Sequence, residues 1–318
     1  MASPVKEFCD STDSKKRKID ESASGSKSFK GFSIQRVLRE DHRTKFACLE
    51  GRFNGSEDLA VVLLEKEPFS KQSFPRLLSD ETTLRETLKN DIYSTYEATP
   101  PTDLSGFKTT VIYPATQKHI DKYSEHDQYI IRETPTLYEK VTLPCIESSN
   151  FSMQWVYNIL DKKSEAERIV MEDPDPDTGF VLLPDMKWDR KDIDSLYLVA
   201  IVHKQGIKSL RDLGQQHLPL LKNILEKGTI AIQEKYSVPK SQLRIYFHYQ
   251  PSYYHLHVHF THLRYEAPGF DALRAHLLED VIDNIETCND YYQNKSLSFT
   301  VRENQQLYKD YEKYGYFK

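Results

Sequence analysis

The segment Tyr253-Tyr254-His255-Leu256-His257-Val258-His259-Phe260 carries three imidazoles at alternate positions. Successive side chains of a strand point to opposite faces, so His255, His257 and His259 fall on one face, about 7 Å apart at ~3.4 Å per residue. Leu256, Val258 and Phe260 fall on the other and suit a core. The preceding strand pattern ends in Tyr246-Phe247-His248-Tyr249. A hairpin turning at Pro251-Ser252 places His248 opposite His255 and gives a fourth imidazole on the same surface, whereas a slip of one residue turns it away.

Imidazoles so ordered admit three readings. They can be structural. They can supply two ligands of a zinc site, although no carboxylate or cysteine that would complete the set stands nearby. Or they can act on phosphorus. A neutral imidazole attacks phosphorus well and leaves easily, so one difficult displacement becomes two easier ones. The central histidine then needs a hydrogen bond on one nitrogen to aim the other. Flanking imidazoles stabilise the charge that builds on the phosphate oxygens. This third reading fits the pattern best, and it needs no metal and no cofactor.

The elements that must position these groups are legible as periodicity. Residues 32–38, 45–53, 59–65 and 109–113 read as strands, and 74–89 as mostly helical. Beyond a polar segment, 153–160 has helical spacing. Residues 168–172 and 180–183 read as strands around the turn cluster Asp173-Pro174-Asp175-Pro176-Asp177-Thr178-Gly179. Residues 195–203 read as a buried strand, 218–236 as an amphipathic helix, and 242–249 and 253–263 as adjacent strands. A helix over 273–285 and a strand over 297–301 follow. The expected organisation is α+β. A disordered polar tail over 1–29 precedes a small mixed N-terminal domain over 30–122. A hinge over 123–135 then leads to a C-terminal domain over 136–318, with an antiparallel sheet and flanking helices.

Composition narrows the partners. With 43 basic and 48 acidic residues the net charge is −5, so no broad positive field recruits nucleic acid, and attraction for an anion must be local. Cys9, Cys48, Cys145 and Cys288 have neither zinc-knuckle nor redox spacing, which suits a reducing, intracellular setting. No signal peptide and no bilayer-length apolar run is evident, so no membrane partner is expected. Lys15-Lys16-Arg17-Lys18 reads either as a solvated charge run or as a nuclear-import signal, the latter giving a cytoplasmic and nuclear location.

His255-Leu256-His257-Val258-His259-Phe260 resembles the histidine-triad motif. The stretches Asn90-Asp91-Ile92-Tyr93-Ser94-Thr95-Tyr96, Gln154-Trp155-Val156-Tyr157-Asn158-Ile159-Leu160-Asp161-Lys162-Lys163 and His248-Tyr249-Gln250-Pro251-Ser252-Tyr253-Tyr254 narrow the likeness, as does Phe180-Val181-Leu182-Leu183-Pro184-Asp185-Met186-Lys187-Trp188. Together they resemble the scavenger mRNA-decapping enzymes of the histidine-triad superfamily, from about Phe32 to near the C-terminus.

The resemblance implies hydrolysis of the 7-methylguanosine cap on cap nucleotides and short capped RNA. The products would be 7-methylguanosine monophosphate and a nucleoside diphosphate. It also implies a homodimer with a swapped N-terminal segment and a cleft between the two domains. His257 is the implied nucleophile, supported by His255, His259 and His248. Trp155, Glu165, Asp185, Lys187 and Arg274 are the implied methylguanine pocket, and Asn90, Tyr93, Lys118 and Lys122 are implied to close over it. Physical chemistry agrees: Trp is the best aromatic partner for a flat cation, and a carboxylate accepts from the guanine N1 and N2 donors.

On residue types alone, Trp155 fits a core helix, Glu165 a surface, and Lys118 with Lys122 a solvated helix face. Tyr253 shares the histidine face and is placed to line the cleft, with Ser252 and Pro251 shaping the turn above it. His262 falls on the opposite face and is read as structural or surface. Two other functions fit the triad: hydrolysis of dinucleoside polyphosphates or nucleotide conjugates, and cap binding with little turnover.

Overall fold

The computed structural model describes residues 28–148 and 153–317. Most of the polar tail and the basic run Lys15-Lys16-Arg17-Lys18 lie outside the described residues. The chain divides into two compact units, one ending at His126 and the other running from Asp127.

In the N-terminal unit, β1 (Phe32–Asp41), β2 (Phe46–Phe53), β3 (Leu59–Lys66) and β6 (Phe107–Ala115) form an antiparallel sheet in that order. Leu38, Cys48, Val61 and Ile120 make its small core. Ile120 comes from the helix Gln117–Tyr123, whose first turn is closed where the Thr116 N–H donates to His119 Nδ1 at 3.0 Å. Strands β4 (Thr83–Asn90) and β5 (Tyr93–Thr99) pair only with each other, and every position of both is exposed.

The helix expected over 74–89 is thus a correction. Only Phe74–Leu77 is helical, and Thr83–Asn90 is a strand. Leu77, Leu84 and Leu88 have helical spacing, but Thr83 and Thr87 are β-branched, and pairing with β5 decides the outcome.

The C-terminal unit is built on six antiparallel strands: β8 (Met171–Asp173), β9 (Phe180–Pro184), β10 (Tyr197–Val202), β11 (Leu243–His248), β12 (His257–His262) and β13 (Ala275–Leu277). Their spatial order is β13-β11-β12-β10-β9-β8. One face carries Leu198, Ala200, Val202, Ile245, Phe247, Val258 and Phe260 into a core shared with the helices Leu218–Tyr236 and Leu278–Thr287. Phe260 lies so close to the long helix that a methyl group on Gly228 would come within 2.7 Å of its ring. On the other face, Val181, Leu183, Val199 and Ile201 meet Val156 and Ile159 of the helix Gln154–Leu160. The helix expected from 273 begins only at Leu278, because Ala275–Leu277 pairs with β11.

Beside this sheet, β7 (Gln128–Glu133) pairs with β14 (Leu297–Arg302). Glu133, at the end of β7, is the hub of a buried polar cluster. Its carboxylate accepts from Arg211 Nε at 3.0 Å and Nη2 at 2.7 Å, and also from the hydroxyls of Thr142 and Tyr249. Arg211 Nη1 donates to the carbonyls of Tyr292 and Lys295 at 2.7 and 2.6 Å. Both charged side chains are almost wholly excluded from solvent. Removing one member of such a pair strands the other, at a cost of about 3–5 kcal/mol. Glu133→Gln is therefore expected to lower unfolding free energy by that amount, read from tryptophan fluorescence in urea, since Trp155 and Trp188 both belong to this unit. A loss below about 1 kcal/mol would show that the pair is dispensable.

Candidate active site

His257 and His259 are the first and third residues of β12 and share a face, as alternation requires. The strand begins at His257 rather than at 253, so His255 lies in the approach to it. Its Nε2–H donates to the Val202 carbonyl at 2.8 Å, which pins the approach to the end of β10. The expected pairing of His248 with His255 is also a correction. Tyr246 pairs with His259, a register that points His248 toward position 257. The slip is two residues, an even number, so His248 keeps its face. Its ring centre lies 4.3 Å from that of His259.

The imidazoles are buried and therefore neutral. Burial is the main cause in each case. It pushes His257 down to about 4 and His248 to about 2, and holds His255 and His259 below the usual range. The positive charge of Arg274 adds to the shifts of His248, His257 and His259, and that of Lys187 to those of His248 and His259. A neutral imidazole has one N–H and one lone pair. In His257 the proton is located by its partner. Nδ1 lies 2.7 Å from the His255 carbonyl, which can only accept, so Nε2 carries the lone pair. Nε2 is buried and has no hydrogen-bond partner among the described residues.

An aromatic series lies against one face of this imidazole. The Tyr253 ring stacks on His257 at 3.9 Å and 14°, and Trp155 meets Tyr253 edge-on at 4.8 Å. Trp155 is 41% exposed, while Trp188 is buried against Tyr236. The core reading thus belongs to Trp188, and Trp155 presents a free ring surface.

Glu165 has a left-handed backbone, with φ 56°, and its carboxylate is paired with Arg168. Asp185 follows β9 and accepts from the Lys187 N–H at 2.9 Å. Its charge reinforces burial in raising the Tyr253 hydroxyl. Arg274 borders β13, and Gly269 passes beside it. A Cβ at Gly269, whose φ is +82°, would lie 3.0 Å from His248 Nε2 and 3.1 Å from Arg274 Cδ. Ser252 lies in the turn between β11 and β12. His262 is buried and accepts the Arg264 N–H at Nδ1, 3.2 Å away, which fits a structural role. Among the described residues, no group of three or more His, Cys, Asp or Glu side chains is arranged to hold a metal ion.

The remaining expected residues belong to the N-terminal unit. Asn90 and Tyr93 are the closing pair of the β4–β5 hairpin, and Lys118 and Lys122 lie on the helix Gln117–Tyr123. Sequence reasoning missed Gly269, Tyr197 and Tyr246. The Tyr197 hydroxyl lies 3.0 Å from His259 Nδ1, and the Tyr246 ring stacks on His259 at 5.4 Å. Tyr246 was visible two residues before His248, on the same face. Tyr197 comes from a strand distant in sequence and had no local signal.

Two family models match, and together they cover more than half of the chain. They are "Scavenger mRNA decapping enzyme (DcpS) N-terminal" over residues 27–126 and "Scavenger mRNA decapping enzyme C-term binding" over 154–274. The chain belongs to the scavenger mRNA decapping enzyme family. Curated relatives agree along nearly the whole length. The m7GpppX diphosphatase of Bos taurus is 53% identical over 279 residues, 86% of this chain and 83% of that protein. The enzyme of the same name from Ascaris suum is 45% identical over 296 residues, 92% and 98% of the two chains. That of Schizosaccharomyces pombe is 41% identical over 287 residues, 88% and 93%.

The depressed basicity of His257 sets a pH expectation. Protonation would remove the Nε2 lone pair, and an ordinary imidazole protonates near ~6.5. With the folded value near 4, the form with a free Nε2 lone pair persists below that point. The kcat/KM of a phosphoanhydride substrate should therefore pass through pH ~6.5 without an imidazole break and fall only as pH nears about 4. A break near ~6.5 in the pH–rate profile would mean that His257 is solvated.

Proposed function

We propose that this family member hydrolyses the triphosphate bridge of 7-methylguanosine cap nucleotides and short capped RNA through a covalent bond to His257. The observation that carries the proposal is the buried Nε2 of His257, which has no hydrogen-bond partner among the described residues and is aimed by the bond from Nδ1–H to the His255 carbonyl.

In the first step the Nε2 lone pair attacks the phosphorus nearest the methylguanosine. A P–N bond forms and the P–O bond to the next phosphate breaks. The nucleoside diphosphate, or RNA 5′-diphosphate, leaves with the electron pair. In the second step water attacks the same phosphorus and the P–N bond breaks, returning its electrons to Nε2. One water proton passes to solvent, and 7-methylguanosine monophosphate is released. His259 and His248 flank the phosphate. Arg274 and Lys187, expected from the resemblance in the base pocket, are assigned here to the phosphate oxygens because their charges act on His248 and His259.

Base recognition falls to Trp155, whose exposed ring suits a cationic methylated purine, with Glu165 and Asp185 as acceptors for its N–H groups. Ser252 and Tyr253 complete this side. Asn90, Tyr93, Lys118 and Lys122 are assigned as further substrate contacts, within the domain limits read from the sequence. Among the described residues no helix is long and apolar enough to cross a membrane.

The chain acts as a homodimer in this reading. A lone two-stranded hairpin is marginal in water, yet β4–β5 exposes Leu84, Leu88, Ile92, Tyr93 and Tyr96. A second copy that exchanges this element would cover it. Sedimentation at micromolar concentration should give a dimer, and a monomer would remove the swapped arrangement.

The covalent route is tested with cap dinucleotide in a single-turnover assay. Wild type should give 7-methylguanosine monophosphate and a nucleoside diphosphate. His257→Asn keeps a similar reach but cannot form a labile phosphoramidate, so turnover should fall by orders of magnitude while cap affinity remains. His255→Asn and His259→Asn should do less harm. Near-normal turnover by His257→Asn with intact binding would rule out this nucleophile.

A further inference from the structure

His259 stands where it can serve the phosphate, but a neutral imidazole serves an anion through only one of its two tautomers. Its Nε2 is buried and without a hydrogen-bond partner among the described residues, and its Nδ1 lies 3.0 Å from the Tyr197 hydroxyl. Tyr197 is 1% exposed and His259 4%, so no bulk water competes for either group. The Tyr246 ring, stacked at 5.4 Å and 27°, limits rotation of the imidazole.

Two arrangements satisfy the 3.0 Å contact. If Nδ1–H donates to Tyr197, Nε2 is left with a bare lone pair that repels phosphate oxygens. If the hydroxyl donates, Nδ1 accepts, and Nε2 must carry the proton. We infer that Tyr197 is a positioning residue: it donates its hydroxyl hydrogen to His259 Nδ1 and so fixes Nε2–H as a donor to a non-bridging oxygen of the phosphate that His257 attacks. This rests on the reading of His257 as nucleophile and His259 as phosphate donor. No proton changes hands; the hydrogen bonds reorganise nothing as charge builds, which is what makes a preset donor effective. Burial keeps the Tyr197 phenol protonated, so it has a hydrogen to donate. The same residue's carbonyl accepts the Asp185 N–H at 2.9 Å, tying the tautomer-setting strand to an acceptor assigned to the base.

The test uses the full chain and cap dinucleotide. Tyr197→Phe removes one oxygen and keeps the ring. It should lower kcat about 10- to 100-fold, by analogy with the outer partners of metal-bound histidines, and leave KM unchanged. Long-range ¹H–¹⁵N NMR should show His259 as the Nε2–H tautomer in wild type and as a mixture in the variant. In a His259→Ala background, Tyr197→Phe should add nothing. A wild-type Nδ1–H tautomer would overturn the inference, and that measurement stands even if Tyr197→Phe fails to fold. Full kcat in Tyr197→Phe, with His259→Ala impaired, would overturn it while sparing the underlying reading. Multiplicative losses in the double variant would give Tyr197 a role apart from His259. Unimpaired turnover by His259→Ala would bring down both.

Discussion

Burial of the imidazoles governs the chemistry of this unit. A solvated histidine is part cation near neutrality and samples both tautomers. An enclosed one is neutral, so each ring has a single proton whose location becomes a structural property. For His257 that location follows from a carbonyl two residues earlier on the same chain, at 2.7 Å. A carbonyl has no proton to give, so the bond runs in one direction, and the lone pair on the far nitrogen follows from it. The free lone pair of His257 is therefore set by backbone geometry.

The sheet supplies that geometry. β12 lies between β10 and β11, so the backbone positions from which His257 and His259 project are fixed by two ladders. The opposite face is held by Val258 and Phe260 in the main core, and the approach to the strand is held by His255 on Val202. The turn carrying Ser252 and Tyr253 is secured at its start by Tyr249, whose hydroxyl donates to Glu133. The buried Glu133–Arg211 cluster is thus linked through one turn to the ring stacked on His257.

The sequence made the triad legible because alternation is a local property: the apolar residues between the histidines gave both faces at once. The helix Leu218–Tyr236 was equally plain, with Pro219 near its start and an apolar stripe throughout. Registers were harder. His248 proved two positions from its expected partner, since nothing in Pro251-Ser252 fixes how many residues the turn consumes. The helix expected over 74–89 failed because leucine spacing in a short polar segment fits two periods, and the hairpin partner lies outside it. Tyr197 and Gly269 were invisible, because strand pairing and a close backbone approach brought them to the histidines. That Trp155 is exposed rather than in the core depends on tertiary packing that helical spacing does not carry.

Gly228 has a consequence for how this protein can change over time. A glycine inside a helix costs about 1 kcal/mol relative to alanine, so ordinary drift favours its replacement. Here the missing side chain makes room for Phe260, which shares the triad strand. A larger residue at 228 is tolerated only with a smaller ring or an aliphatic at 260, and the reverse change leaves a void. The two positions are therefore expected to covary. A neutral-looking substitution on the outer helix is thereby tied to the strand that carries His257 and His259, and lineages that keep that strand's packing should keep the pair.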